Sequence, residues 1–396
     1  MACHPEPRSG EDVNFLSLWP ALQKLPAAPS ETEAPSLGAR AYRLFREGVA
    51  FQRAYDYQRA RKKYEQGLQL RLRQLHCGPP PDSLLEQIIR DYQNLGNLWL
   101  QDGYYNRAGA YTDTCLRAQR HFAAAYGFKN HYRRGNLYRL MGNLYTEVGE
   151  LTKAGDFLER AYRQYSHGLE EATDATDRTR YFTSQVRTLV ALSYLYVTWE
   201  ESDSIIHYAG RGLELLQAAL APAERLARRE YAALCLNRGI GHELADELPA
   251  ARRFFDEARR AYERQGAVWE VAKVYQNRSI VARKEKKYEA AHRDLTAAVR
   301  LNRQNEFDDY LVDNYIARGL LYLEEGRCAA AQTELDRAVD LLLIHPDGMA
   351  RRDRWDNPDW NRGDLLIRDK NDLLEALYGR ARAWEGMGRP LAAEAT

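Results

Sequence analysis

From about residue 40 to the end of the chain, apolar positions follow a helical period, and a longer repeat is laid over it. A small residue, usually Gly, is followed three places later by an aromatic or apolar residue and twelve places later by another small residue. The clearest sets are Gly48, Phe51 and Ala60; Gly96, Trp99 and Ala108; Gly142, Tyr145 and Ala154. Ser193, Tyr196 and Ile205 form a weaker one, and Gly239, His242 and Ala251 restore it. Ser279, Ala282 and Ala291, then Gly319, Tyr322 and Ala331, continue the series, and Ala381, Trp384 and Ala393 begin an eighth.

Two antiparallel helices packed face to face need small residues where their backbones approach, with larger ones a turn away at i+3 and i+4. In the third unit Tyr138, Met141, Gly142 and Tyr145 predict that stripe on a first helix, and Ala154, Leu158 and Ala161 predict its partner. Between them Glu147 to Glu150 predicts a short turn, with Gly149 ending the first helix. Residues 324–327 and 386–389 repeat the turn.

These residues resemble the tetratricopeptide-repeat (TPR) pattern, in which a large residue stands at position 4, Leu-Gly at 7–8, an aromatic at 11 and Ala at 20 and 27. Tyr92, Leu95, Gly96, Trp99 and Ala108 fit it, as do Tyr275, Ala291, Leu295 and Ala298. The resemblance covers about residues 40–396 and implies an all-α fold, a right-handed α-α superhelix of about eight helical hairpins. The sequence departs from the family in unit length, 40 to 51 residues for most of the chain. It also departs at position 7, where Arg238, Arg278, Arg318 and Arg380 replace Leu in the last four units. Their aliphatic stems can pack while the guanidinium reaches solvent or a neighbouring carboxylate, which favours a structural role over a ligand-binding one.

The expected organisation is a flexible Pro-rich leader over 1–38, which holds six of the fourteen prolines, then TPR units one to seven over 39–343. A Trp-containing insertion follows over 344–372 and an incomplete eighth unit over 373–396. An end without a polar capping helix predicts either further polypeptide or association with a partner there.

Composition narrows the function classes. With 57 basic and 56 acidic residues the formal charge is +1, which gives no global drive toward nucleic acid or an anionic membrane. The five cysteines, Cys3, Cys77, Cys115, Cys235 and Cys328, have no ligand spacing, so they read as small buried hydrophobes in a reducing compartment. No run of 18 apolar residues or signal-peptide core occurs, and the chain is expected to be cytoplasmic with no membrane partner. Phosphate-loop, dinucleotide, zinc-protease and nucleophile-elbow motifs are all missing, and His242 falls on a core position. Neither an enzyme nor a cofactor or metal site is expected.

Binding is the function the pattern supports. In the TPR resemblance the first helices line the concave face, and positions 2, 5, 6, 9, 12 and 13 point into it. Position 6 then carries Asn94, Asn237 and Asn277, and position 9 carries Asn97, Asn143 and Tyr194. An asparagine offers a donor and an acceptor, so a ladder of them can bracket successive peptide bonds; in mid-helix it serves equally as a helix-to-helix bond. Leu140, Ala191 and Ala317 break the ladder. Arg139, Asn143 and Arg187 resemble part of the carboxylate-clamp TPR pattern, but Ala191 stands where that class needs Asn. Trp355 and Trp360 in the insertion offer a rival interface, since exposed tryptophans anchor partners, or the insertion folds back as a plug on the solenoid.

A basic and aromatic cluster, from Arg117 to Arg134 with Phe122, Tyr126, Phe128 and Tyr132, could hold phosphates and bases, or be a charged loop whose rings pack inward. The expectation is a scaffold for a partner protein or peptide. The alternative is a sensor segment gating an effector such as a transcription regulator or protease-linked system, and nucleic acid ranks last.

Overall fold

The computed structural model describes residues 34–54, 56–75, 79–305, 308–343 and 365–388. Among them lie sixteen α-helices and no strand. In chain order they are α1 (Ala34–Arg53), α2 (Tyr57–Gln74), α3 (Asp82–Gln101), α4 (Tyr105–Tyr126), α5 (His131–Glu147) and α6 (Leu151–Glu171). Then follow α7 (Ala175–Thr198), α8 (Ser202–Ala219), the short α9 (Pro222–Leu226), α10 (Arg229–Leu244), α11 (Leu248–Gln265) and α12 (Val268–Lys284). The series ends with α13 (Tyr288–Gln304), α14 (Asp308–Glu324), α15 (Cys328–Leu343) and α16 (Leu365–Gly386). The fold is all-α. Helix α1 begins inside the span expected to be leader; it pairs with α2, and Leu37 and Ala41 on it are buried. Helix α16 likewise begins within 344–372; Trp355 and Trp360 lie outside the described residues, as does most of the leader.

The small-residue repeat does what its spacing predicts. Ala60, Ala108, Ala154, Ile205, Ala251, Ala291 and Ala331 are all fully buried. At four of the five position-8 glycines, Gly48, Gly142, Gly239 and Gly319, the large side chain sixteen places later sits directly on the glycine. A Cβ at Gly142 would come 2.5 Å from Leu158, one at Gly239 2.5 Å from Phe255, and one at Gly319 2.6 Å from Leu335. No methyl group fits there without displacing the ring or branch that closes the hairpin.

The turn inside each hairpin is more regular than the residues that make it. Seven places after position 8 the backbone is left-handed in every described turn, at Gly103, Gly149, Glu200, Asp246, Lys286, Gly326 and Gly388. In the third unit Gly149 N–H donates to the Thr146 carbonyl and Glu150 N–H to the Tyr145 carbonyl, closing the helix as a Schellman cap. The same two bonds recur at Lys286 and Lys287, donating to Arg283 and Ala282. Three of the seven turns therefore hold a side-chain-bearing residue in a conformation that costs it about 1–2 kcal/mol relative to Gly.

Contacts divide the chain into two compact units: residues 1–102 with 107–140, and residues 103–106 with 141–396. In unit 1, α1 and α2 pair with Tyr64 over Gly48. Tyr92 and Tyr111 meet between α3 and α4, 6.4 Å apart. The joint between α2 and α3 encloses an ion pair, Arg71 with Asp91, and Gln87 accepts from Arg71 Nε at 3.0 Å. In unit 2 each helix packs on its immediate neighbours, so the interior is a succession of small apolar clusters and not one core. One such cluster joins Ala154 and Leu158 to Leu189, Leu192 and Leu195; another gathers Phe255 and Ala258 with Val271 and Val274. The extra helix α9 accounts for part of the unit length beyond the family pattern.

Candidate peptide-binding face

In unit 2 the first helices α7, α10, α12, α14 and α16 touch in succession and form one face. Ion pairs tie neighbours across it. Arg187 Nε donates to Glu230 at 2.7 Å, Arg229 pairs with Glu270, Lys284 reaches Glu243 at 2.7 Å, and Arg283 meets Glu324 at 2.5 Å. The rings of Trp269 and Tyr310 stack 5.4 Å apart between α12 and α14. One contact skips a helix: the Lys273 ammonium on α12 lies 5.7 Å from the ring centre of Tyr194 on α7. Packed helices lie about 8–10 Å apart, so a flat row would hold α7 and α12 roughly 16–20 Å apart. The two side chains bridge that span over α10.

The expected groove residues divide into three groups. Asn94, Asn97 and Asn143 are half-buried, and no described residue satisfies their amides. Arg139 is half-buried too, with its Nε enclosed and unpaired. Arg187 and Tyr194 are exposed on the face, each engaged by a neighbour. Asn237 drops out of the set. It is 5% exposed and donates to Ser193 Oγ at 2.8 Å, the helix-to-helix bond that a mid-helix Asn can also make. Asn277 donates to the Lys273 carbonyl of its own helix at 2.8 Å, which occupies one of its two donors.

The face contains a cavity of about 230 Å³ lined by α12, α13, α14 and α16. Ile280, Ile316, Ala317 and Leu320 supply its apolar lining. Arg283, Asp313, Asp372 and Glu375 add the charges. Burial raises the Glu375 carboxyl above its ordinary value, Asp313 raises it further, and Arg283 works the other way. None of these residues is an asparagine, so none belongs to the amide ladder. The signal was present in the same register: with Gly319 at position 8, Asp313, Ala317 and Leu320 fall at positions 2, 6 and 9. With Ala381 at position 8, Glu375 falls at position 2.

The arginine column faces inward to the second helices. Arg278 lies 3.2 Å from Asp256 and 3.4 Å from Asp294, Arg318 donates to Glu334 at 2.9 Å, and Arg380 stands 3.5 Å from Asp336. Arg238 instead covers the Phe254 ring at 4.7 Å. His242 is buried and stacked on Phe254, its Nδ1 2.5 Å from Glu247. Cys115 and Cys235 are buried, and burial pushes both thiols well above the usual range. In the basic and aromatic cluster of unit 1, Phe122 and Phe128 are buried and Arg133 is held by Glu86 at 3.0 Å. No helix among the described residues is long and apolar enough to cross a membrane.

The sequence matches no protein-family model and no curated protein. Solved structures do match its fold. A Rap protein complexed with competence and sporulation factor superposes with a TM-score of 0.52 at 14% identity, over 92% of this chain and 95% of that one. Aspartyl phosphate phosphatase F from Bacillus subtilis gives 0.50 at 13%, over 94% and 93%. The apo quorum sensor NprR from B. thuringiensis gives 0.50 at 11%, over 89% and 95%. At such identities the likeness is one of fold alone. The fold is of the tetratricopeptide-repeat type.

Proposed function

We propose that this chain is a non-catalytic interaction protein whose concave face in unit 2 holds a peptide segment of a partner protein. The observation that carries this is the closure of Lys273 over Tyr194, since a face that curves around a bound chain touches it from several hairpins at once. Asn143 adds a half-buried amide on α5 able to follow a peptide backbone. Among proteins of this fold, one structure is by name a complex with competence and sporulation factor, and another is called a quorum sensor. They favour a regulatory form of the reading, in which occupancy of the face changes what the chain does to an effector. The phosphatase name of a third belongs to that protein and brings no catalytic group to this one.

The test is selection of a random dodecapeptide library displayed on phage against the full chain. Enriched peptides should bind the wild type and lose at least tenfold in affinity for Tyr194→Ala with Lys273→Ala, the variant keeping its helical circular dichroism. Peptides that bind the double variant as well as the wild type would place the interface elsewhere, and a selection that enriches nothing would remove the peptide-holding role.

A further inference from the structure

The first helix of unit 1 buries one side, with Leu37 and Ala41, and leaves the other open. On the open side Tyr42, Arg46, Val49 and Arg53 follow the i, i+4, i+7, i+11 spacing of one helical stripe. Tyr42 is 53% exposed, and Arg43, Arg46 and Arg53 are exposed with it. In all, α1 holds four arginines, Arg40, Arg43, Arg46 and Arg53, against one glutamate, a formal +3. None of the four meets a carboxylate among the described residues, and Glu47 is held by Lys63 at 2.7 Å. Beside the stripe the Arg90 guanidinium of α3 lies 3.9 Å from the centre of the Phe45 ring, its Nε enclosed without an acceptor. Burial lowers the pKa of that guanidinium, Asp91 opposes the shift, and Arg71 and Arg133 reinforce it. The Asp91 and Glu86 carboxylates are already held by Arg71 and Arg133. A helix face that is part aromatic and otherwise cationic suits an apolar segment that brings carboxylates with it.

We propose that residues 11–25 of this same chain dock along that face of α1. Residues 1–33 hold five acidic and two basic side chains, a formal −3 that complements the +3 of α1. Within them Glu11 and Asp12 precede Phe15, Leu16, Leu18, Trp19, Leu22 and Leu25, so acidic and apolar groups come in one run. The tether favours this occupant over any free one. Residues 26–33 join the run to Ala34, and eight residues reach up to about 28 Å when extended. Tyr42 and Arg46 stand only about 12 and 18 Å along α1 from Ala34, at 1.5 Å per residue. So attached, the segment is present at an effective concentration on the order of millimolar. Folding back from Ala34 sets its direction: Leu25 lies nearest the start of α1, and Glu11 and Asp12 lie furthest along, toward Arg46 and Arg53. The docking concerns unit 1 and stands apart from the peptide-holding reading of unit 2. A partner for this end of the chain has to displace the segment first.

Hydrogen-exchange mass spectrometry of the full chain tests the docking. Amides of residues 13–25 should exchange at least tenfold more slowly than the intrinsic rate of an unstructured chain. Arg46→Glu with Arg53→Glu should return them to the intrinsic rate while exchange in α2 and α3 stays as in the wild type. Adding Glu11→Arg and Asp12→Arg to that variant should restore the protection, which a folding defect in α1 cannot do. Exchange at the intrinsic rate in the wild type would overturn the proposal, as would protection that survives the reversal at Arg46 and Arg53. A quadruple variant that stays unprotected would overturn the charge pairing on which it rests. Protection that fades on dilution would place the segment on a second copy and overturn docking within one chain.

Discussion

An arginine–carboxylate pair bridges neighbouring hairpins both at the α2–α3 joint of unit 1 and at the α7–α10 joint of unit 2. In unit 1 both Arg71 and Asp91 are fully buried, and even so one nitrogen and one oxygen of the pair find no partner. In unit 2 the Arg187 side chain is 55% exposed and that of Glu230 13%. The same two chemical groups therefore carry different energetic weight. Water still solvates Arg187 and would replace Glu230 at little cost, whereas Arg71 and Asp91 have given up hydration and depend on each other. Burial pushes the Asp91 carboxyl up to about 6 despite the arginines on either side, so desolvation outweighs attraction there.

The largest test of this contrast is Arg71→Met. It strands a buried carboxylate and should cost about 3–5 kcal/mol, read as faster amide exchange in α2 and α3. Arg71→Met with Asp91→Leu should recover most of that loss. If the double variant is as unstable as the single, the charges are not what holds the joint.

A smaller effect follows from pH. A carboxyl whose folded-state pKa is raised binds a proton on folding. Its stabilising contribution is complete below its ordinary 3.8 and is lost as pH rises through about 6. Exchange from α2 and α3 should therefore accelerate between those values beyond the intrinsic pH dependence of amide exchange. Asp91→Asn should remove the excess, and an excess of opposite sign would mean that the ion pair dominates burial.

The smallest effect is expected in unit 2, where Arg187→Ala should change the unfolding free energy measured by urea denaturation by no more than about 1 kcal/mol. That outcome would also make Arg187→Ala usable as a probe of binding, because a loss of affinity could not be assigned to unfolding.

The small-residue repeat is legible in the sequence because it is steric and local: Gly142 and Leu158 sixteen places apart can meet only in a hairpin. The arginine column was legible for a similar reason, as a long stem on a packed face needs a carboxylate within reach, and Arg318 finds Glu334. The candidate site was less so. Asn237 and Asn143 occupy neighbouring columns of the same repeat, but only the structure shows that Ser193 stands opposite Asn237 on the adjacent hairpin. The acidic cavity gathers residues from four helices up to 99 positions apart, Gln276 to Glu375, and no spacing rule joins them.

By itself the sequence determined the helical hairpins, their small-residue contacts and the absence of recognised catalytic motifs, since these depend on side-chain size and on motifs confined to one or two helices. Tertiary structure alone decided how the joints curve and which polar groups are spent inside them. It also decided that Glu200, Asp246 and Lys286 adopt the left-handed turn that Gly149 adopts readily. At those three turns the packing of helix on helix sets the backbone, and its total exceeds the 1–2 kcal/mol that each residue's own preference would hold back.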